Sequence, residues 1–120
     1  MPQHLFVYGT LHPDRAPDEI VPAVRHLREV GPATLLGTKY DLGDYPGVVI
    51  HLAPPDIVHG TIFELPQDPT VLEALDRYED YRPADPTASL FVRVALAVTQ
   101  PDGSTLDCWV YLYNQPVPKT

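Results

Sequence analysis

The chain predicts an α+β protein built on a curled, mainly antiparallel sheet or small barrel. Short apolar segments alternate with turn-forming residues along most of the sequence, which is typical of strands. Only one segment has a long helical pattern, and it precedes the last two strands. The 120 residues include 15 prolines, which favour short strands, edges and long connections over extended helices.

The strands follow from runs of β-branched and aromatic residues between turn formers. The predicted strands are 4–8, 33–40, 48–50, 57–65, 90–99 and 105–113. Gly60 within the fourth strand indicates a bulge or a close approach of another part of the chain. Asp102-Gly103 lies between the last two strands and favours an antiparallel hairpin.

A short helix is predicted near Pro22, because Ile20, Val24 and Leu27 recur at helical spacing. Proline is tolerated in the first turn of a helix but not in its interior. We expect Gly31-Pro32 to end this helix.

The strongest helix prediction begins at Asp68, which can cap the helix, with Pro69 at the first position. An apolar stripe at helical period then follows, formed by Val71, Leu72, Leu75 and Tyr78. Asp76, Arg77 and Asp80 are predicted to lie on the other sides of the helix, in solvent.

Length and composition predict a single domain over residues 1–120. The net charge of −8 argues against binding to nucleic acid or an anionic membrane. No apolar stretch is long enough to span a bilayer, and the first residues do not have the pattern of a signal peptide. The single Cys108 cannot form an internal disulfide, so we expect a cytoplasmic location and a packed thiol in the core. The five histidines lack metal-ligand spacing, so no metal site is expected.

The residues Tyr8-Gly9-Thr10-Leu11 directly follow the apolar run of the first strand. Gly9 permits a sharp turn and lets another molecule approach the main chain. Successive N–H groups in such a turn can bind a carboxylate or a developing oxyanion. The alternative is an ordinary turn from a strand into a loop.

Glu79 lies four residues after Leu75 and eight after Val71, on the stripe that faces the core. Desolvation of a carboxyl group there raises its pKa toward neutrality, and the negative end of the helix acts in the same direction. Such a group can accept and return a proton at neutral pH. The alternative is a frayed helix end, from which Glu79 reaches into water.

Five motifs occur in an order and spacing that resemble the gamma-glutamylcyclotransferase-like family, also called AIG2-like. The resemblance extends from residue 4 to about residue 114. The motifs are Phe6-Val7-Tyr8-Gly9-Thr10-Leu11, Tyr45-Pro46-Gly47, Gly60-Thr61-Ile62-Phe63-Glu64-Leu65, Leu75-Asp76-Arg77-Tyr78-Glu79-Asp80-Tyr81 and Trp109-Val110-Tyr111-Leu112-Tyr113. Each motif alone is weak, whereas the ordered set is specific.

The resemblance implies a small mixed, mainly antiparallel β-barrel with one or two helices. It also implies a cofactor-independent enzyme that releases 5-oxoproline from a small gamma-glutamyl amine or amino-acid derivative. Glu79 matches the family's general acid/base, and Tyr8, Gly9, Thr10 and Leu11 match its substrate-binding loop. The implied partner is the small-molecule substrate, with a monomer or a dimer equally compatible. The alternative is a non-catalytic module of the same fold that binds a small carboxylate.

Three further tyrosines are candidate substrate-binding residues. Tyr111 and Tyr113 alternate with apolar residues and point to the same side of the last strand as Trp109. Tyr45 stands in a turn that resembles a cavity rim. The structural alternatives are packed aromatic residues for the first two and an ordinary tight turn for Tyr45.

Arg93 interrupts an apolar strand, so it either pairs with a carboxylate near the cavity or faces outward. Relatives often have Ser at the position of Thr10 and Gly at the position of Asp80. A negative charge at Asp80 would raise the pKa of Glu79 further and disfavour an acidic leaving group.

Overall fold

The computed structural model of the protein describes residues 2–9, 16–41, 46–49 and 57–114, and within these ranges it has seven strands and two α-helices. The strands are β1 (His4–Val7), β2 (Arg28–Leu36), β3 (Thr38–Asp41), β4 (Pro46–Val49), β5 (Ile57–Glu64), β6 (Phe91–Thr99) and β7 (Thr105–Tyr113). The helices are α1 (Val21–Val24) and α2 (Pro69–Tyr78), and a short 3-10 helix covers Pro86–Ala88.

Five of the strands close into a barrel in the order β1-β5-β2-β6-β7. The β1–β7 pair is parallel, and the other pairs are antiparallel. Strands β3 and β4 form a separate antiparallel pair. The expected α+β class, a small mixed and mainly antiparallel barrel with one or two helices, is confirmed, and the described residues contain two α-helices.

The parallel contact between β1 and β7 positions the site. It joins Leu5 to Trp109 and so places the end of β1 beside the second half of β7. As a result the Tyr8 hydroxyl reaches the main chain at Tyr111, although 103 residues separate the two in sequence.

Alternating side chains of the sheet supply two separate buried clusters, as the period of a strand requires. Leu5 and Val7 belong to a cluster that includes residues of both helices, among them Val24 and Leu75. Phe6 belongs to a second cluster that contains no helical residue. The helices therefore cover one face of the sheet.

Gly60 is a point of close approach between β5 and β1, as one of its two interpretations predicts. A Cβ atom there would lie 2.5 Å from the Val7 carbonyl oxygen and 2.6 Å from Cζ of Phe6. The register irregularity between β2 and β5 lies instead between Glu29 and Gly31.

The region from Arg28 to Asp41 differs from its predicted layout. Helix α1 is a single turn, and β2 already begins at Arg28, so Gly31-Pro32 lies inside a strand instead of ending a helix. Pairing of Arg28 with Glu64 on β5 outweighs the weak local helix preference. The predicted strand 33–40 is also split at Gly37, because β2 joins the barrel and β3 pairs with β4.

Helix α2 begins as predicted. The Asp68 side chain accepts a hydrogen bond of 2.9 Å from the Thr70 backbone N–H, and Pro69 occupies the first turn. Val71 and Leu75 are buried, while Leu72 and Tyr78 pack partly buried against the same cluster. Because this face packs against the sheet, the C-terminal end of α2 also lies close to the sheet.

Candidate functional site

Glu79 is the residue that ends helix α2, and its side chain is partly buried. Burial raises the pKa of its carboxyl group to about 7. A carboxyl group with a pKa near neutrality can both accept and release a proton at neutral pH, which suits proton transfer in both directions.

The chain turns sharply after Glu79 because Asp80 adopts a left-handed backbone with φ of 55°. The Tyr81 N–H donates to the Asp76 carbonyl oxygen at 2.8 Å, and the Asp80 N–H donates to the Arg77 carbonyl oxygen at 3.2 Å. These two bonds form a Schellman motif, whose left-handed position favours glycine. Asp80 therefore occupies a backbone position that glycine would adopt without strain.

The Asp80 carboxylate lies at the surface beside Glu79. Its side chain is 46% exposed and pairs with Arg82 at 3.1 Å. The pKa of Glu79 is raised by burial, and the expected contribution of Asp80 stays a hypothesis.

Tyr8 is buried and its hydroxyl donates a hydrogen bond to the Tyr111 carbonyl oxygen. Burial raises the pKa of Tyr8, and the negative charge of Glu79 raises it further. The charge of Glu79 therefore acts on the Tyr8 hydroxyl.

Tyr111 is also buried, and its hydroxyl donates a hydrogen bond of 2.7 Å to Oδ1 of Asp76. Burial, then the charge of Asp76 and the hydrogen bond to it, raise the pKa of Tyr111; Glu79 adds a smaller contribution in the same direction. Asp76 precedes Glu79 by three residues, so both lie on neighbouring positions of one side of α2. Tyr8, Glu79 and Tyr111 thus form one group.

Arg93 connects β6 to this group through two hydrogen bonds with Asp76. Its Nε lies 2.8 Å from Oδ1 and its Nη2 lies 3.2 Å from Oδ2. The guanidinium carbon also lies 4.2 Å from the ring centroid of Trp109 and 5.6 Å from that of Tyr81. Hydrogen bonds thus connect Arg93 and Tyr111 to the same carboxylate, that of Asp76.

The prediction that Asp76 faces solvent is wrong, because only 7% of the residue is exposed. The apolar stripe extends around α2 beyond Leu72, and Asp76 follows Leu72 by four residues. Arg93 within an apolar strand was the signal for a buried partner. Of its two interpretations, the pairing with a carboxylate is correct.

The remaining predicted site residues are less fully described. Gly9 directly follows Tyr8 and is partly buried, whereas Thr10, Leu11 and Tyr45 lie outside the described residues. Tyr113 is partly buried against the helix-covered cluster, with its ring edge-on to Phe91 at a centroid distance of 5.6 Å. Its packing matches the aromatic alternative and leaves substrate contact untested.

Ser89 is a structural residue that the sequence did not single out. It is fully buried, and its hydroxyl accepts a hydrogen bond of 2.7 Å from the Arg82 backbone N–H. The Leu90 N–H donates to the Asp80 carbonyl oxygen at 3.1 Å. These bonds hold the segment between α2 and β6 against the end of the helix.

Within 2–9, 16–41, 46–49 and 57–114, no group of three or more His, Cys, Asp or Glu side chains is arranged to hold a metal ion. Cys108 is buried, as predicted, and burial raises the pKa of its thiol to about 11. Among the helices of these residues, none has the length and apolar character needed to cross a membrane.

A match to a family model shows the protein family of this chain. The model for gamma-glutamyl cyclotransferase, AIG2-like proteins matches residues 5–120. The chain belongs to this family. The match includes the Tyr8-Gly9 turn, Glu79 and Tyr111, so the group of residues described above lies within it.

Solved structures share the fold. YkqA from Bacillus subtilis superposes with a TM-score of 0.70 at 19% identity, over 95% of this chain and 36% of its own. A protein described as gamma-glutamyl cyclotransferase gives 0.64 at 18% identity, over 92% of this chain and 65% of its own. An AIG2-like protein from Mus musculus gives 0.66 at 24% identity, over 97% and 80%. This chain therefore spans about a third of YkqA and about two thirds of the second protein. A search of curated proteins found no match.

Proposed function

We propose that this protein is a cofactor-independent gamma-glutamyl cyclotransferase that releases 5-oxoproline from a small gamma-glutamyl amine or amino-acid derivative. The observation that carries the proposal is the partly buried carboxyl group of Glu79, whose pKa is raised to about 7 beside Tyr8 and Tyr111. Family membership supports the reaction class.

The reaction needs no nucleophile from the protein, because the substrate supplies its own. The α-amine attacks the γ-carbonyl carbon and forms the new C–N bond of a five-membered ring. The bond from that carbon to the amide nitrogen then breaks, and the released amine takes up a proton. Holding the folded conformer supplies much of the advantage of such an intramolecular reaction.

Glu79 would move the protons in this scheme. Its carboxylate takes a proton as the α-amine attacks, and the resulting carboxylic acid gives a proton to the leaving nitrogen. A group with a pKa near the working pH performs both transfers well, and general acid/base catalysis typically contributes about 10²–10⁴-fold in rate.

The loop after β1 would position the substrate. Main-chain N–H groups of Tyr8, Gly9, Thr10 and Leu11 are proposed to bind the glutamyl carboxylate or the developing oxyanion. Tyr111, Tyr113 and Tyr45 are proposed to line the rest of the site. No side chain of the loop needs to react.

The test is the release of 5-oxoproline from a panel of gamma-glutamyl amines and amino acids by wild type and Glu79→Gln. We expect turnover by wild type and a loss of about 10²-fold or more in Glu79→Gln. Glu73→Gln is the matched control, because Glu73 is exposed on the same helix. Equal turnover in Glu79→Gln would refute the role of Glu79. No product from any compound, together with ligand binding that survives Glu79→Gln, would favour the binding module instead.

A further inference from the structure

The hydroxyl groups of Tyr8 and Tyr111 have no proton left for a ligand. A tyrosine hydroxyl donates one hydrogen bond and has two lone pairs for acceptance. Tyr8 donates to the Tyr111 carbonyl oxygen, and Tyr111 donates to Oδ1 of Asp76 at 2.7 Å. A carbonyl oxygen and a carboxylate only accept, so the direction of both bonds is fixed. Toward any further group, each hydroxyl presents only lone pairs, and at Tyr8 one of them already faces the backbone N–H of Val48.

Arg93 keeps Asp76 in its acceptor role. The guanidinium meets both carboxylate oxygens, at 2.8 and 3.2 Å, and an arginine is always charged in proteins. The rings of Trp109 and Tyr81 flank the same guanidinium and fix its position. The Tyr111 hydroxyl therefore donates its proton to a carboxylate whose position Arg93 fixes.

Both hydroxyls belong to the surroundings of Glu79. Tyr111 is bonded to Asp76, one turn before Glu79 on α2, and Tyr8 is bonded to the main chain of Tyr111. Burial, and to a smaller extent the charge of Glu79, raises the pKa of both tyrosines, so both keep their protons at neutral pH.

We propose that the hydroxyl oxygens of Tyr8 and Tyr111 accept hydrogen bonds from the substrate's α-amine and hold its nitrogen beside Glu79. This inference rests on the proposed function. The gamma-glutamyl part of the substrate has N–H donors only at its α-amine and at the scissile amide, whereas its carboxylate and carbonyl oxygens are acceptors that these hydroxyls disfavour. The amine is the donor that must reach the base. The glutamyl carboxylate therefore has to bind elsewhere, which fits the N–H groups of the loop.

The test compares two ligands that differ only at this nitrogen. In 5-oxoproline the former amine is the lactam N–H, and in its carbocyclic analogue a CH2 group replaces it. Calorimetric titration gives the dissociation constant of each for wild type and for Tyr111→Phe. We expect wild type to bind 5-oxoproline roughly three- to tenfold more tightly than the analogue. In Tyr111→Phe this ratio should fall while the affinity for the analogue is kept, so the analogue is the internal control for general damage to the site.

Equal affinities in wild type, binding of neither ligand, or an unchanged ratio in Tyr111→Phe would overturn the inference. Circular dichroism checks that Tyr111→Phe is folded, and Tyr8→Phe is measured in the same way as a second variant. Release of 5-oxoproline from a gamma-glutamyl compound, without discrimination between the ligands, would leave the proposed function standing and remove this inference. If the protein discriminates between the two ligands through Tyr111 but releases 5-oxoproline from no substrate, this inference stands and the proposed function is removed.

Discussion

The guanidinium of Arg93 and the carboxylate of Asp76 form a paired contact that joins β6 to α2. Their side chains are only 14% and 9% exposed, and two hydrogen bonds of 2.8 and 3.2 Å connect them. Asp76 also accepts the hydroxyl of Tyr111. The contact therefore ties three elements together one helical turn before Glu79.

Arg93→Met should lower the free energy of unfolding by about 3 kcal/mol or more, because it leaves Asp76 buried without its counter-charge. Urea unfolding at neutral pH measures this. The double variant with Asp76→Leu should recover much of the loss, since a buried pair can often be replaced by apolar side chains. Arg28→Met is the control, because the Arg28–Glu64 pair is exposed (74% and 42%) and should contribute less than about 1 kcal/mol. Equal costs for Arg28→Met and Arg93→Met would contradict the importance of burial.

The pH dependence of kcat/KM should show the titration of Glu79. The carboxylate form accepts the proton from the amine, so kcat/KM should fall as the pH drops below about 7, where Glu79 becomes protonated. Steady-state rates between pH 5 and 9 (roughly two units on each side) measure this. Glu73→Gln should keep the acidic limb. An acidic limb that persists in the residual activity of Glu79→Gln would assign it to another group.

The free energy of unfolding should also depend on pH through Glu79, in the direction opposite to that of kcat/KM. The pKa of its carboxyl group is about 7 in the folded protein, against an ordinary value of 4.5, so the folded state binds the proton more tightly than the unfolded chain does. The resulting contribution to stability is complete below 4.5 and is lost as the pH rises through about 7. The loss amounts to about 3 kcal/mol at most. Glu79→Gln should lack this part of the pH dependence in urea unfolding, and a curve parallel to that of wild type would exclude it.

Asp80 should tolerate glycine better than alanine. Its φ of 55° is free of steric cost only for glycine, and aspartate adopts it more readily than alanine does. We expect Asp80→Gly to raise the free energy of unfolding by up to about 1 kcal/mol and Asp80→Ala to lower it by a similar amount. Asp80→Asn separates charge from conformation and should change stability least. The reverse order of glycine and alanine in thermal unfolding would argue against the left-handed turn.

Gly60→Ala should destabilise the barrel by about 1–3 kcal/mol, because the new Cβ would lie 2.5 Å from the Val7 carbonyl oxygen. The clash is with main chain, which cannot move away as a side chain could. Shortening the nearby side chain with Phe6→Leu should therefore not rescue Gly60→Ala. Recovery of the melting temperature in that double variant would show that the ring of Phe6, and not the main chain of β1, sets the limit.

Local sequence signals were sufficient for some elements. Asp68 and Pro69 determine where α2 begins, and the period of its apolar stripe places Glu79 toward the core. The Asp102-Gly103 turn determines the final hairpin. Each signal depends on neighbours within a few residues, which is why it can be read without the fold. The predicted extent of the first helix was wrong for the same reason, because Arg28 pairs with β5, which is distant in the sequence.

The pattern of residues predicted the family, the mainly antiparallel barrel and Glu79 as the candidate acid/base. It could not predict the burial of Asp76, its pairing with Arg93 or the acceptors of the Tyr8 and Tyr111 protons, which depend on how the chain folds. The physical reason is the range of the interactions. Helical period is a local property, whereas the direction of a hydrogen bond depends on which acceptor the barrel and the helix bring to each hydroxyl.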